Sequence, residues 1–264
     1  MTAAAAAGRF DLGDLALASG EALPGAFLTW KSYGTLAADR SNAVVFPTSY
    51  SAQAADQEWL VAPGGILDPS RWFVVVPDMF GNGSSSSPSN TPDYPATVTA
   101  ADNVRAQRRL LLEHFGIDRV AAVYGFSMGA GQAYHWAALF PDAVERAIAV
   151  CGSAKTATHN KVFLLSLMAT LEAAPEHTGG GRFSSEPRAN LRAFARVYAG
   201  WAMSQDWYRA GLHLRSAADL ADFLDREWEP GFTRRRAADL YAQARCWEEA
   251  DIAGNNRHGG DLSR

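Results

Sequence analysis

The stretch Val120-Ala121-Ala122-Val123-Tyr124-Gly125-Phe126-Ser127-Met128-Gly129 decides the fold. Its first half is a near-continuous apolar run, which suits a strand covered on both faces, as the parallel strands of an α/β sheet are. The residues that follow, Gly129 to Phe140, are rich in alanine and predict a helix. Between the two lies G-x-S-x-G in a strand, turn and helix context. A sharp bend there lifts a serine oxygen out of the sheet edge, and the small flanking residues let strand and helix approach closely. The helix N-terminus adds partial positive charge and free N–H groups where an oxyanion would form, with Met128 offering the first of them. Ser127 is therefore the candidate nucleophile, and the competing reading is a tight structural turn.

Working outward, short β-rich runs occupy Phe10 to Ala18, Ala26 to Tyr33, Ala43 to Pro47, Trp72 to Pro77, Val120 to Gly125 and Ala147 to Cys151. Helical material lies between them at Asn103 to His114 and Gly129 to Phe140, so strands and helices alternate as in a layered α/β domain. Beyond Cys151 the texture changes. Helical periodicity appears at Val162 to Ala174, Leu191 to Met203, Ala217 to Trp228 and Arg234 to Glu249, and no further strand is expected after about residue 154. The reading is an α/β core over residues 1–153 and a helical cap over residues 154–264.

Composition narrows the function classes. The 264 residues are 48% apolar and 20% charged, enough to bury a sizeable core, and the net charge is only -4. No like-charge block exists beyond Arg234 to Arg236, which argues against a nucleic-acid partner. Cys151 and Cys246 lack C-x-x-C spacing, so neither a disulfide framework nor a structural zinc site is expected, and a cytoplasmic setting is the default. The alanine-rich start lacks the basic n-region of a secretory signal, and Val162 to Ala174 is too short for the roughly 20 residues a bilayer needs. No metal site is expected, and the partner expected is a small molecule, with no membrane contact.

An oxyanion hole needs a second donor, and the backbone N–H of Thr48, in the loop after the run Ala43 to Phe46, is the candidate; an ordinary turn is the alternative. Several stretches then form an ordered set: Lys31-Ser32-Tyr33-Gly34-Thr35-Leu36, Gly81-Asn82-Gly83-Ser84-Ser85-Ser86, Asp102-Asn103-Val104-Arg105-Ala106-Gln107, the serine bend with Gln132, and Cys151-Gly152-Ser153-Ala154-Lys155-Thr156. With Leu67-Asp68-Pro69, Tyr198-Ala199-Gly200-Trp201 and Gly259-Gly260-Asp261-Leu262 this set resembles the homoserine O-acetyltransferase-like family of the α/β-hydrolase fold. The resemblance implies a mostly parallel sheet with a helical cap, and a serine that takes an acyl group, in the best-known members from acetyl-CoA, and passes it to a small hydroxyl acceptor. A carboxylic-ester hydrolase and a non-catalytic homologue are the alternatives, and no cofactor is implied beyond acetyl-CoA as acyl donor.

The resemblance also implies a triad acid and a histidine after a seventh and an eighth strand, beyond the last residue, Arg264. About six strands are present on this reading and the last two are missing. His135 is on the helix after Ser127, about 12 Å along its axis, too far for a direct hydrogen bond. His159 and His258 are the least implausible of the remaining histidines. The run Ala147 to Cys151 is expected as an open apolar edge, favouring a homo-oligomer or aggregation. Arg196 matches the family's contact to an acceptor carboxylate, although Met203 stands where that contact's tyrosine partner would be; the alternative is a solvated helix face shared with Arg192. The segment Gly81 to Asn90 reads as a mobile loop, and Trp201, Trp207 and Trp247 as packing under the cap.

Overall fold

The structure, a computed structural model, describes residues 6–255 and 257–262. Most of the alanine run at the start, and Asn256, Ser263 and Arg264, lie outside the described residues. Six strands form one sheet: β1 (Ala6–Ala16), β2 (Ala22–Tyr33), β3 (Ala43–Val45), β4 (Phe73–Pro77), β5 (Ala122–Phe126) and β6 (Ala147–Val150), in spatial order β1-β2-β4-β3-β5-β6. The β1/β2 and β2/β4 pairs are antiparallel, while β4, β3, β5 and β6 run parallel. The expected mostly parallel sheet with helices crossing between its strands is what the chain adopts.

Two helices cross over between the parallel strands. Helix α1 (Ala100–Arg109) connects β4 to β5 and runs on into one wider turn, Leu110–His114; α2 (Met128–Leu139) connects β5 to β6. Thr99 caps α1, accepting from the Asp102 N–H while the Asp102 carboxylate receives the Thr99 N–H. One face of the sheet buries Leu28, Val75, Val104, Leu110 and Trp136, and the other Phe46, Val74, Val76 and Tyr124. Successive residues of β4 therefore serve opposite cores, which explains its unbroken valine run.

The cap begins with α3 (Thr158–Glu172) and continues through α4 (Arg188–Ala202), α5 (Gln205–Arg209), α6 (Leu220–Phe223), α7 (Glu229–Thr233) and α8 (Ala237–Glu248). Its core gathers Phe163, Leu167, Phe194 and Leu240, and the Tyr50 and Met79 side chains join it from below. The expectation of no strand in this half is corrected, because β7 (His177–Gly179) and β8 (Arg182–Phe183) pair as a hairpin. Gly179, Gly180 and Gly181 all take positive φ there, and strands of three and two residues are too short to leave a periodic signature.

The two ends of the cap meet. The Thr156 N–H donates to the Ala250 carbonyl at 2.9 Å, and the Ile252 N–H to the Ala154 carbonyl at 3.0 Å. Lys155 and Asp251 form an antiparallel bridge between them and a 2.7 Å ion pair. Among the described residues no helix is long and apolar enough to cross a membrane.

Candidate active site

Strand β5 delivers Ser127 to the apex of a bend at φ 54°, ψ −121°, a left-handed backbone that L-residues rarely adopt. The bend is held from several sides. The Ser127 N–H donates to the Val150 carbonyl at 2.8 Å, tying it to β6, and the Ser127 carbonyl accepts from the Ala130 N–H at 2.9 Å. The glycines are required by contact distance: a Cβ on Gly125 would lie 2.2 Å from the Gly129 carbonyl oxygen, and one on Gly129 would lie 2.6 Å from that of Pro47. Ser127 itself is half-buried, so its hydroxyl can be reached, and among the described residues that hydroxyl has no hydrogen-bond partner. Helix α2 starts at Met128 with no acidic residue in its first turn, leaving the positive end of its dipole unneutralised.

The loop after β3 packs directly against this bend. Ser49 Oγ donates to the Phe126 carbonyl at 2.5 Å, and the Thr48 carbonyl accepts from Gln132 Nε2 at 3.0 Å. Gln132 is fixed in turn by Gln107, which also receives the indole N–H of the buried Trp136, so a run of buried amides braces α1, α2 and the loop. Thr48 as an oxyanion donor is corrected. Its N–H is directed to the Pro77 carbonyl at 3.3 Å, extending the β3/β4 ladder, and its hydroxyl accepts from the Met79 N–H at 2.9 Å. Of the two candidate donors, Met128 is the one that lines the cavity.

That cavity, about 230 Å³, lies over the bend. Its floor is Ser127, Met128 and the Cys151 to Ser153 segment, and its walls are the beginning of α3 and the ends of α4 and α8, including Asn160, Trp201 and Trp247. No carboxylate or imidazole is among the lining residues. Asn160 presents a buried Oδ1 with no partner, the one amide in the wall. Trp201 and Trp247 thus serve the cavity as well as the packing expected of them, whereas Trp207 packs only within the cap, against Phe223 and His213.

The histidines are engaged elsewhere. His135 Nδ1 sits 2.9 Å from the Gly131 carbonyl, and burial holds its pKa below the ordinary value, favouring the neutral ring. His258 Nε2 lies 3.1 Å from the Ala138 carbonyl, and the His159 ring packs on Trp201. Arg196 as a substrate contact is also corrected. Its guanidinium donates to Glu229 at 2.7 Å and to Asp225 at 2.6 Å, and it does not line the cavity. Among the described residues no group of three or more His, Cys, Asp or Glu is placed to hold a metal ion.

The Gly81 to Asn90 segment, expected as a mobile loop, is instead packed inside at its centre, with only Ser89 and Asn90 exposed. Ser85, Ser86 and Ser87 are fully buried, and Asn82 accepts from the N–H groups of Ser84 and Ser85. Short polar side chains that satisfy neighbouring backbone groups let an irregular segment be buried, which composition does not reveal. Asp78, at the end of β4, anchors it by accepting from Thr29, Ala54 and Asn82.

Comparison with known proteins bears on this site. A family model for the alpha/beta hydrolase fold matches residues 56–237. The ethyl acetate hydrolase of Pseudomonas veronii is 35% identical over 264 residues, 96% of this chain and 74% of that protein. The solved structure of the acetyl esterase MekB superposes with a TM-score of 0.92 at 32% identity, covering 98% of this chain and 76% of that one. The homoserine O-acetyltransferase of Geobacter sulfurreducens is 38% identical, over 54% of this chain and 44% of its own length. The expectation of an acyltransferase is therefore overturned, since the matches that combine 35–37% identity with 96% of this chain are to a probable esterase and an ethyl acetate hydrolase.

Proposed function

We propose, from the premise that the chain belongs to the α/β-hydrolase family, that it is a carboxylic-ester hydrolase with Ser127 as nucleophile. The observation that carries this reading is the strained, half-buried Ser127 held over the N-terminus of α2 at the floor of a cavity. Likeness to an acetyl esterase and an ethyl acetate hydrolase supports ester cleavage with water as the acceptor.

The chemistry follows from the geometry. Ser127 Oγ attacks the ester carbonyl carbon as its proton passes to solvent water, which later returns one to the leaving alcohol. The charge that develops on the carbonyl oxygen is met by the Met128 N–H and the α2 dipole. The C–O bond to the alcohol then breaks, the alcohol leaves with a proton, and water releases the acid from the acyl-serine. The Met128 N–H and the α2 dipole thus supply oxyanion stabilisation, and the cavity above them supplies binding.

The test compares native protein with Ser127→Ala on p-nitrophenyl acetate, with mass spectrometry for an acetyl group on Ser127. Turnover that falls to background in the variant, with acetyl-serine trapped in the native protein, supports the reading. Equal rates and no acylation sink it.

A further inference from the structure

Trp201 and Trp247 stand out in the cavity wall. Apart from Met128, the other lining residues are alanines, glycines and small or medium polar side chains, so the two indoles supply most of the large apolar surface facing Ser127. They are also held in place. The Trp201 ring stacks on Phe163 at a centroid distance of 4.7 Å and an interplanar angle of 8°. Trp247 lies 5.8 Å from the Tyr50 ring and 6.3 Å, edge-on, from Phe163. The Trp247 carbonyl accepts the Thr156 hydroxyl at 2.6 Å, fixing the backbone as well. A cluster that joins α3, α4, α8 and the loop after β3 cannot open for a longer substrate without losing several aromatic contacts at once.

We infer that Trp201 and Trp247 are specificity-determining residues that limit the length of the substrate's carbon chain, confining Ser127 to short esters. This rests on the ester-hydrolase reading for its chemistry, but the size limit is a property of the cavity and can be read without turnover. In a close-packed apolar pocket each methylene that does not fit costs about tenfold or more in kcat/KM. The space at Ser127 is about 230 Å³ and opens to solvent where Trp201 is partly exposed, so a long alkyl chain must leave the close-packed part of the cavity past an indole or displace one.

The experiment measures kcat/KM along two series, ethyl acetate to ethyl octanoate and ethyl acetate to octyl acetate, for native protein, Trp201→Ala, Trp201→Phe and Trp247→Leu. Binding of 2-butanone and 2-octanone is measured in parallel by calorimetry, since a methyl ketone has an ester's shape without its leaving group. Expected is a drop of at least about tenfold along one series in the native protein. Trp201→Ala abolishes that drop and Trp201→Phe preserves most of it, with the melting temperature lowered in the first and near native in the second. The ketones follow the same order, 2-octanone binding only once an indole is truncated. A native protein that takes long and short chains equally, or variants with native profiles in both hydrolysis and ketone binding, overturns the inference. If no ester is cleaved above the Ser127→Ala background, the functional reading fails while ketone selectivity still decides the size limit.

Discussion

Asp239, near the start of α8, accepts hydrogen bonds from both the N–H and the hydroxyl of Ser89, at 3.0 and 2.6 Å, and so fastens the last cap helix to the buried serine segment of the core. Two further contacts run alongside: Gln243 Oε1 accepts from the Ser51 N–H, and the Tyr50 hydroxyl donates to the Leu240 carbonyl. Burial, reinforced by Glu186, pushes the Asp239 carboxyl from its ordinary 3.8 up to about 6, although the Ser89 bonds and Arg236 pull the other way.

A carboxyl whose pKa is raised on folding stabilises the fold fully below its unfolded value, and that contribution is lost as pH rises through the folded one. For Asp239 the window is therefore from about 3.8 to about 6. Asp239→Asn keeps an acceptor for Ser89 and removes the charge. The melting temperature of the variant relative to native protein should rise between pH 4 and pH 8, with the variant the more stable at pH 8. Melts followed by circular dichroism check this, and a pH-independent difference would exclude a titrating Asp239.

Ser127 stores backbone strain at the apex of the bend. Ser127→Gly, which tolerates positive φ, should raise stability by about 1 kcal/mol in urea unfolding while ester turnover is lost. A destabilised variant would show that the bend is not strained.

The approach of Gly129 to Pro47 leaves no room for a side chain. Gly129→Ala should cost about 1–3 kcal/mol in chemical denaturation, because the atom it meets is backbone and cannot swing aside. Ester turnover should fall with it, since the bend and the loop after β3 would be forced apart.

Arg196 bonds two carboxylates across α4, the turn Leu224–Trp228 and α7, and Glu229 is the buried one. Arg196→Gln should lower the melting temperature and leave KM for ethyl acetate unchanged. A raised KM with unchanged melting would return Arg196 to the substrate.

The parallel strands were legible because a residue run covered on both faces must be apolar throughout, as Phe73 to Val76 shows, and the bend because few sequences satisfy a strand, a tight turn and a helix in ten residues. The partners of Thr48 and Arg196 were not. Whether a backbone N–H at the end of β3 is free depends on how far the β4 ladder extends, and Arg196 meets an acid 33 positions later in the chain. Long-range pairings of this kind leave no periodic trace. The burial of Ser85 to Ser87 was hidden for a related reason: a serine that serves its neighbours' backbone has the same composition as one that faces water.

The backbone ladder between Ala154-Lys155-Thr156 and Ala250-Asp251-Ile252 brings the cap's incoming and outgoing strands of chain side by side. The chain enters and leaves the cap at that seam, while Asp239, Leu240 and Gln243 of α8 fasten it a second time to Ser89, Tyr50 and Ser51 of the core. Transplanting the segment between Thr156 and Ala250 from a relative would exchange the chamber above the serine and leave the sheet's hydrogen bonds untouched, provided that the new α8 carries partners for Tyr50, Ser51 and Ser89.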